Sequence, residues 1–213
     1  MRSCAILIPA YNEGATISRV IAVALASRIG EVLVVDDGSE DGTQRVARQA
    51  GAEVLRLDEN TGKGGAVWAG ANELEADVIV LLDADLTGLR PEHVRALAEP
   101  VAAGEAEMSR GVFAGGRWST ATAQKIAPQL NGQRAILRSQ LLKVEQLAES
   151  RYGIEIAITQ HAQRHAWTTV DVPMPGVSQV MKEEKRGVFK GFAVRLRMYA
   201  EILATWLGSL ARR

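Results

Sequence analysis

Four short apolar runs, separated by helical patterns, constrain the fold of this chain more than any other feature. The runs are Ala5–Ile8, Val32–Val35, Val54–Leu57 and Val78–Leu82. Continuous apolar runs of this length are typical of strands that are buried on both faces of a parallel sheet. Between the first two runs, apolar residues from Ile17 to Leu25 recur with the spacing of one helix face. The alternation predicts an α/β fold, a Rossmann-like, mostly parallel sheet flanked by helices.

Further helices are predicted near 41–50, after the glycines at 62–65, and from Pro91 onward. The second half is less regular. Residues 108–134 are rich in Gly, Ser, Thr, Ala and Gln, which predicts a strand followed by a long loop. Two helices, at about 138–149 and 153–164, then precede a strand near Trp167–Val172. No linker divides the chain, so we predict one catalytic-size domain over 1–180 and a helical segment over 181–213.

Charge is distributed unevenly along the chain. The 213 residues carry 25 basic and 25 acidic side chains, but residues 181–213 hold eight basic and three acidic ones. The neutral total argues against a general nucleic-acid binder, which needs a basic surplus. The single cysteine, Cys4, cannot form an internal disulfide, and no run reaches the roughly 18 uncharged apolar residues of a membrane span. These features predict a cytoplasmic protein.

Polar groups follow each predicted strand. They are Pro9-Ala10-Tyr11-Asn12-Glu13, Asp36-Asp37-Gly38-Ser39, the acidic and Gly-rich stretch 58–64, and Asp83-Ala84-Asp85. The carboxyl ends of parallel strands lie along one edge of a sheet, where ligands bind. The sequence therefore predicts one site at which these groups meet.

Asp83-Ala84-Asp85 is the most informative of these groups. Two carboxylates at i and i+2, leaving a buried strand, can bind a hard divalent cation that also takes phosphate oxygens. Several carboxylates at one edge also repel each other unless a cation neutralises them. We therefore predict that Asp85, helped by Asp83, holds Mg²⁺ or Mn²⁺ that bridges a diphosphate.

The stretch Asn60-Thr61-Gly62-Lys63-Gly64-Gly65 matches neither GxxxxGK[ST] nor GxGxxG. Two interpretations stay open. A helix N-terminus with glycines and a lysine can attract an anion, or it can be a helix start with a surface lysine.

These motifs, in this order, resemble those of the family 2 nucleotide-sugar glycosyltransferases, which have the glycosyltransferase A fold. The resemblance implies that Pro9, Tyr11, Glu13 and Asp37 border the base and ribose of a nucleoside diphosphate sugar. It also implies Lys63 near the nucleotide, and Asp83 and Asp85 on metal, diphosphate and sugar. The full donor set implied is Pro9, Ala10, Tyr11, Glu13, Asp37, Gly38, Ser39, Lys63, Asp83, Ala84 and Asp85.

The second half resembles a narrower group. Gln129-Leu130-Asn131-Gly132-Gln133-Arg134-Ala135, followed by Arg151-Tyr152-Gly153-Ile154-Glu155-Ile156, looks like the acceptor half of glucosyl-3-phosphoglycerate synthases. Polyprenyl-phosphate sugar transferases carry a similar Gly-Tyr-Gly pattern. The acceptor residues implied are Gly132, Gln133, Arg134 and Tyr152. Arg134 suits a phosphate or carboxylate, with a surface arginine as the alternative.

Glu155 has three open interpretations. It is a base for the attacking hydroxyl in an inverting transfer, an acceptor-binding acid in a retaining one, or a carboxylate that favours a helix N-terminus. One departure concerns the metal. The phosphoglycerate enzymes use a histidine from the C-terminal loop as a further ligand, whereas residues 173–190 contain none here, and Gln179 lies in that loop.

A heptad seam marks the C-terminal segment. It consists of Phe189, Phe192, Leu196, Tyr199, Leu203, Trp206 and Leu210. Such a seam packs on its own domain, pairs two chains, or lies on an acidic membrane surface. Of these arrangements, we expect packing on its own domain or pairing in a homodimer in preference to peripheral contact with a membrane.

Together the motifs predict a glycosyltransferase with catalytic residues Glu155 and Asp85. The expected donor is a nucleoside diphosphate sugar, UDP-glucose first, and the acceptor a small anion or a lipid phosphate. Two alternatives stay open. A sugar-phosphate nucleotidyltransferase should show a Gly-rich, basic turn after the first strand, which PAYNEG lacks. A non-catalytic nucleotide-sugar-binding protein would bind the donor without transfer.

Overall fold

A computed structural model describes residues 1–113, 132–150 and 153–179 of the chain. The strands are β1 Cys4–Ala10, β2 Gly30–Asp36, β3 Glu53–Arg56, β4 Val78–Leu81, β5 Leu86–Thr87, β6 Met108–Val112, β7 Arg134–Leu137, β8 Thr169–Pro173 and β9 Ser178–Gln179. The helices are α1 Ile17–Ser27, α2 Thr43–Gln49, α3 Lys63–Glu73, α4 Pro91–Ala102, α5 Arg138–Leu141 and α6 Ile154–Arg164.

Seven strands form one sheet in the order β3-β2-β1-β4-β7-β6-β8, while β5 and β9 form a separate pair. The pairs among β1 to β4 are parallel, as are β6 and β8, and β7 runs antiparallel to both of its neighbours. The predicted fold, a mostly parallel sheet flanked by helices, is confirmed.

Alternation along the central strands produces two separate apolar cores. Because successive side chains of a strand point to opposite faces, Ile6 and Ile8 of β1 pack with α1, α2 and α4, whereas Ala5 and Leu7 pack with α3, α5 and α6. The four strands predicted from apolar runs all occur, but β3 lies at the edge of the sheet and is only half-buried, so the prediction that it is buried on both faces was wrong. Pro91 begins α4, where its missing N–H has no helical partner to lose.

Two predictions for the second half were wrong. The strand near the start of 108–134 occurs as β6, but no strand was predicted after the expected loop, whereas Arg134–Leu137 forms β7 between β4 and β6. The expected helix over 138–149 is a single short helix, Arg138–Leu141, followed by turns. A four-residue strand carries too few residues to show periodicity, so only its long-range pairing identifies it.

Several predicted features lie outside the described residues. They include Tyr152, the motif residues 129–131, and the C-terminal segment 181–213 with its heptad seam. The domain division at residue 180, the homodimer, the membrane contact and the cytoplasmic location therefore stay predictions. In the portions that the structure describes, no helix is long and apolar enough to span a bilayer.

Candidate functional site

The carboxyl ends of β1, β2 and β4 lie side by side. Ala10 pairs with Asp36 across β1 and β2, and the Leu82 N–H donates to the Leu7 carbonyl at 3.1 Å. The Asp83-Ala84-Asp85 segment thus leaves the sheet beside Pro9–Glu13 and Asp36–Ser39. The structure brings together the groups that follow the strands, as the parallel order requires.

The loops after β1 and β2 are joined by hydrogen bonds to each other. The Asn12 N–H donates to Ser39 Oγ at 2.9 Å, and the Glu40 N–H donates to Asn12 Oδ1 at 3.0 Å. Two further partners, Asp41 and Thr43, were missed by the sequence analysis. They accept from the backbone of Gly14 at 3.0 Å and of Glu13 at 2.9 Å. Their place at the start of α2, in a turn rich in Ser, Asp and Thr, was the available signal.

Among the donor residues predicted in these loops, Tyr11 presents the largest accessible surface. Its side chain is 40% exposed at the end of β1. Pro9 and Glu13 are half-buried beside it, and Ala10 is buried. Glu13 accepts from Thr16 Oγ1 at 2.7 Å, which fixes its carboxylate at the start of α1. An exposed aromatic ring next to held polar groups can provide a surface for a flat base.

Asp37 holds the beginning of α3. Its carboxylate is buried, with 3% exposure, and accepts from the Thr61 N–H at 2.7 Å, Thr61 Oγ1 at 2.8 Å and the Gly62 N–H at 2.8 Å. This places a negative charge at a helix N-terminus, where unpaired N–H groups favour it. The neighbouring Asp36 is paired with Arg56 at 2.7 Å. The carboxylates of Asp36 and Asp37 are therefore both engaged in contacts within the protein.

The glycines after Lys63 allow a close helix contact. A Cβ on Gly64 would collide with the carbonyl oxygens of Leu147 and Ser150, and one on Gly65 would collide with Thr61. The Gly-rich stretch therefore brings the segment that leads into α6 against the first turn of α3. Lys63 begins α3, as both open interpretations assume, and the glycines after it have a packing reason.

Lys63 lies at the centre of a charged cluster. Its Nζ is 2.6 Å from Asp83 Oδ1 and 2.5 Å from Glu155 Oε1. The lysine side chain is 24% exposed, and each carboxylate side chain is 14% exposed. Burial alone would lower the pKa of Lys63, but the attraction of Asp83 and Glu155 outweighs it and raises that pKa. Lys63 therefore remains an ammonium, and the alternative of a freely exposed surface lysine does not hold.

Asp83 also receives two amides. Gln133 Nε2 donates to Asp83 Oδ2 at 2.7 Å, and Gln179 Nε2 donates to the same oxygen. The antiparallel pairing of Leu86 with Gln179 brings β9 beside the strand that follows the aspartates. Gln179 is therefore part of the site, although the sequence analysis noted only that it stands in the loop where relatives have a histidine.

Gly132 and Asp85 are the remaining predicted site residues near the cluster of Lys63 and Asp83. A Cβ on Gly132 would lie 2.6 Å from Lys63 Nζ and 2.8 Å from both carboxylate oxygens of Asp83, so only glycine leaves this cluster intact. Asp85 is buried, with 9% exposure, and Ala84 is buried between the two aspartates. Gly132 thus lies directly beside the aspartate motif.

The carboxylates at this edge of the sheet are of the kind that binds a hard cation. Within residues 1–113, 132–150 and 153–179, no three His, Cys, Asp or Glu side chains converge as a complete metal site. Asp83 and Asp85 place carboxylates at one edge, the ligand type that Mg²⁺ and Mn²⁺ prefer, although both Asp83 oxygens already accept hydrogen bonds within the protein. Mg²⁺ commonly uses one or two carboxylates together with waters and substrate phosphates. A site with two aspartates is thus compatible with this mode of Mg²⁺ binding.

Arg134 lies beneath the site. It is fully buried in β7, and its Nη1 donates to Thr159 Oγ1 at 2.9 Å. Thr159 Oγ1 in turn donates to the Glu155 carbonyl at 2.7 Å. Burial lowers the pKa of Arg134 to about 10, against the opposing attraction of Glu155. The alternative of a surface arginine is therefore wrong. The guanidinium instead contacts α6 through Thr159.

The fold and the motifs define a glycosyltransferase. The family model of glycosyl transferase family 2 matches residues 5–155, and the chain belongs to that family. The predicted family and enzyme class are thereby confirmed.

Particular relatives fall in the two groups that the second half resembles. Glucosyl-3-phosphoglycerate synthase of Mycobacterium tuberculosis is 32% identical over 114 residues, which are 49% of this chain and 35% of that protein. Undecaprenyl-phosphate 4-deoxy-4-formamido-L-arabinose transferase of Edwardsiella ictaluri is 34% identical over 105 residues, 44% of this chain and 32% of that protein. The matched part is thus about a third of the length of each relative.

A solved structure supports the same fold. The crystal structure of the Mycobacterium tuberculosis glucosyl-3-phosphoglycerate synthase with Mn²⁺, uridine diphosphate and glucosyl-3-phosphoglycerate superposes with a TM-score of 0.75 at 24% identity. The match covers 97% of this chain and 79% of that one. At this identity the likeness establishes the architecture.

Proposed function

We propose that this protein transfers a sugar from a nucleoside diphosphate sugar, UDP-glucose first, to a small anionic or lipid-phosphate acceptor. One observation carries the proposal. Asp83, from the predicted donor edge, and Glu155, from the predicted acceptor half, meet at the ammonium of Lys63. A cluster in which a donor-side and an acceptor-side carboxylate meet can hold two substrates close to each other, which group transfer requires.

On the donor side, the base and ribose are proposed to lie along the loops after β1 and β2. Tyr11 offers its exposed ring, and Pro9, Glu13, Asp37 and the Gly38–Ser39 turn form the border. Because Asp37 is occupied by Thr61 and Gly62, its contribution is to shape this border.

Asp85 and Asp83 would hold the divalent cation. Mg²⁺ or Mn²⁺ bound there would stabilise negative charge on the departing diphosphate. The buried position of Asp85 keeps competing water away, which strengthens its attraction for a cation.

On the acceptor side, the bond that forms joins an acceptor oxygen to the anomeric carbon, and the bond that breaks joins that carbon to the diphosphate. With a hydroxyl acceptor, the proton goes to the carboxylate of Glu155. A phosphate acceptor attacks with an oxygen that already carries charge. Gly132, Gln133 and Tyr152 are proposed to border the acceptor, while Arg134 acts through Thr159.

The names of the relatives support this range of acceptors. One is named for glucosyl-3-phosphoglycerate and the other for undecaprenyl phosphate. The solved structure was determined with Mn²⁺ and uridine diphosphate. These properties belong to those proteins, and they define the compounds to be tested on this one.

The test combines binding and turnover. Thermal shifts are measured with UDP, GDP and their sugars, each with and without Mn²⁺, followed by transfer assays with 3-phosphoglycerate and with polyprenyl phosphate. A metal-dependent shift with one nucleotide, and transfer to one acceptor, are expected. Binding without transfer to any acceptor or to water would indicate a non-catalytic nucleotide-sugar-binding protein. Formation of a sugar nucleotide from a nucleoside triphosphate would indicate a nucleotidyltransferase.

A further inference from the structure

Lys63 connects the two halves of the site. The family resemblance places it beside the nucleotide, but its described contacts are the carboxylates Asp83 and Glu155, 20 and 92 residues away along the chain. We infer that Lys63 is a positioning residue for the acceptor side, which fixes the Glu155 carboxylate relative to Asp83. This inference rests on the proposed function, because it assigns Glu155 to the acceptor.

The backbone of Lys63 is held on both sides. The preceding Gly62 donates its N–H to Asp37 at 2.8 Å. The following Gly64 packs against the carbonyl oxygens of Leu147 and Ser150, which leave no space for a Cβ. The lysine side chain therefore starts from a point fixed to the donor loops and to the segment that leads into α6. Because its backbone is fixed on both sides, the Lys63 ammonium holds Glu155 at a defined place relative to Asp83.

The ammonium of Lys63 offsets the negative charges of the cluster. Two carboxylates that are each 14% exposed share it, so water screens their mutual repulsion only weakly. Without the ammonium, Asp83 and Glu155 would repel each other. Asp83 also receives the amides of Gln133 and Gln179, which hold it in place. Glu155 is thus the carboxylate that we expect to move.

Arg134 acts on Glu155 as well, since the two charged groups attract each other. Its hydrogen bond to Thr159 leads to the backbone carbonyl of Glu155. Arg134 therefore supports the helix turn that carries Glu155, whereas Lys63 contacts the Glu155 carboxylate directly. Removal of Lys63 should leave α6 in place and free its first acidic side chain.

The alternative is that Lys63 binds the donor diphosphate, and the two roles differ in what a substitution changes. A donor ligand contributes to nucleotide affinity and acts independently of Glu155. A positioning residue leaves nucleotide affinity nearly unchanged and acts through Glu155, so removing both residues should cost no more activity than removing Glu155 alone.

The test compares Lys63→Met, Lys63→Arg, Glu155→Gln and the Lys63→Met/Glu155→Gln double variant with the wild type. Lys143→Met, which removes an exposed lysine, is the control. Calorimetry with UDP and Mn²⁺ measures nucleotide affinity. Where wild-type transfer has identified an acceptor, kcat and the KM of donor and acceptor are measured with it.

Glu155→Gln is expected to lower kcat about 10²–10⁴-fold, and the double variant should match it. Lys63→Met should lower kcat at least about tenfold, the loss of one positioned contact, with a smaller change in UDP affinity. Lys63→Arg should lie between wild type and Lys63→Met. It also provides the comparison if Lys63→Met does not fold.

The inference is overturned if Lys63→Met weakens UDP binding as much as it lowers kcat, or if the double variant loses the product of the two single effects. If no acceptor has been identified, the UDP affinity of Lys63→Met tests the inference by itself. Loss of at least tenfold in UDP affinity then overturns the inference, and a smaller loss supports it. Failure of the wild type to bind any nucleotide would instead refute the proposed function.

Discussion

Substitution of Asp37 by asparagine should destabilise the protein even when no nucleotide is present. Asp37 accepts three hydrogen bonds from the start of α3, through the backbone of Thr61 and Gly62 and the Thr61 hydroxyl. Asparagine has one acceptor oxygen, so in either amide orientation one of these N–H groups faces the NH₂ group. The negative charge at the helix N-terminus is lost as well.

The magnitude follows from these two losses. A buried donor left without an acceptor costs about 1–3 kcal/mol. Loss of a charge at a helix N-terminus costs about 0.3–1 kcal/mol. We therefore expect the free energy of unfolding to fall by about 1–4 kcal/mol. For a chain of 213 residues this lowers Tm by roughly 2–4 °C per kcal/mol.

The assay is urea unfolding of wild type, Asp37→Asn and a matched control, each measured without ligand. Asp58→Asn removes an exposed carboxylate from the same connection between β3 and α3, and its effect should stay within about 0.5 kcal/mol. If Asp37→Asn is as stable as the wild type and loses only nucleotide affinity, the reasoning is refuted. Asp37 would then act on the ligand and not on the helix.

Three further predictions concern separate parts of the molecule. Asp85→Ala should abolish the extra Tm shift that Mn²⁺ adds to UDP, and an unchanged metal-dependent shift would remove Asp85 from the proposed metal site. Gly64→Ala should cost about 3 kcal/mol or more in urea unfolding, because its Cβ would overlap the backbone carbonyls of Leu147 and Ser150; wild-type stability would show that this contact is loose. Burial, followed by His165 and Arg164, lowers the pKa of His161, so the unfolded chain binds a proton that the folded one refuses and stability should fall as pH drops below about 6.5. His161→Gln should reduce that acid-side loss, and an identical pH profile would contradict it.

The strands and helices of the first half could be predicted because local sequence patterns indicate them. Each buried parallel strand is a run of apolar residues, and α1 shows its buried face in the spacing of Ile17, Val20 and Ile21. Parallel order alone then implies that the polar groups after the strands meet at one edge. The family motif residues were therefore found without any knowledge of their contacts.

The second half was read less well because its elements depend on distant partners. β7 has four residues and exists as a strand because β4 and β6 leave a place for it. Arg134 looked like an anion-binding loop residue, but the same strand buries it against Thr159. Neither fact has a local signature in the sequence.

The sequence by itself thus determined the α/β alternation, the family and the set of polar groups at the sheet edge. The tertiary structure decided what those groups do to each other. Asp37 binds a helix start 24 residues away, and Lys63 joins Asp83 to a glutamate 92 residues away. Such pairings depend on how helices pack on the sheet, since periodicity reports which face of an element is buried but not which charged side chain it will meet there.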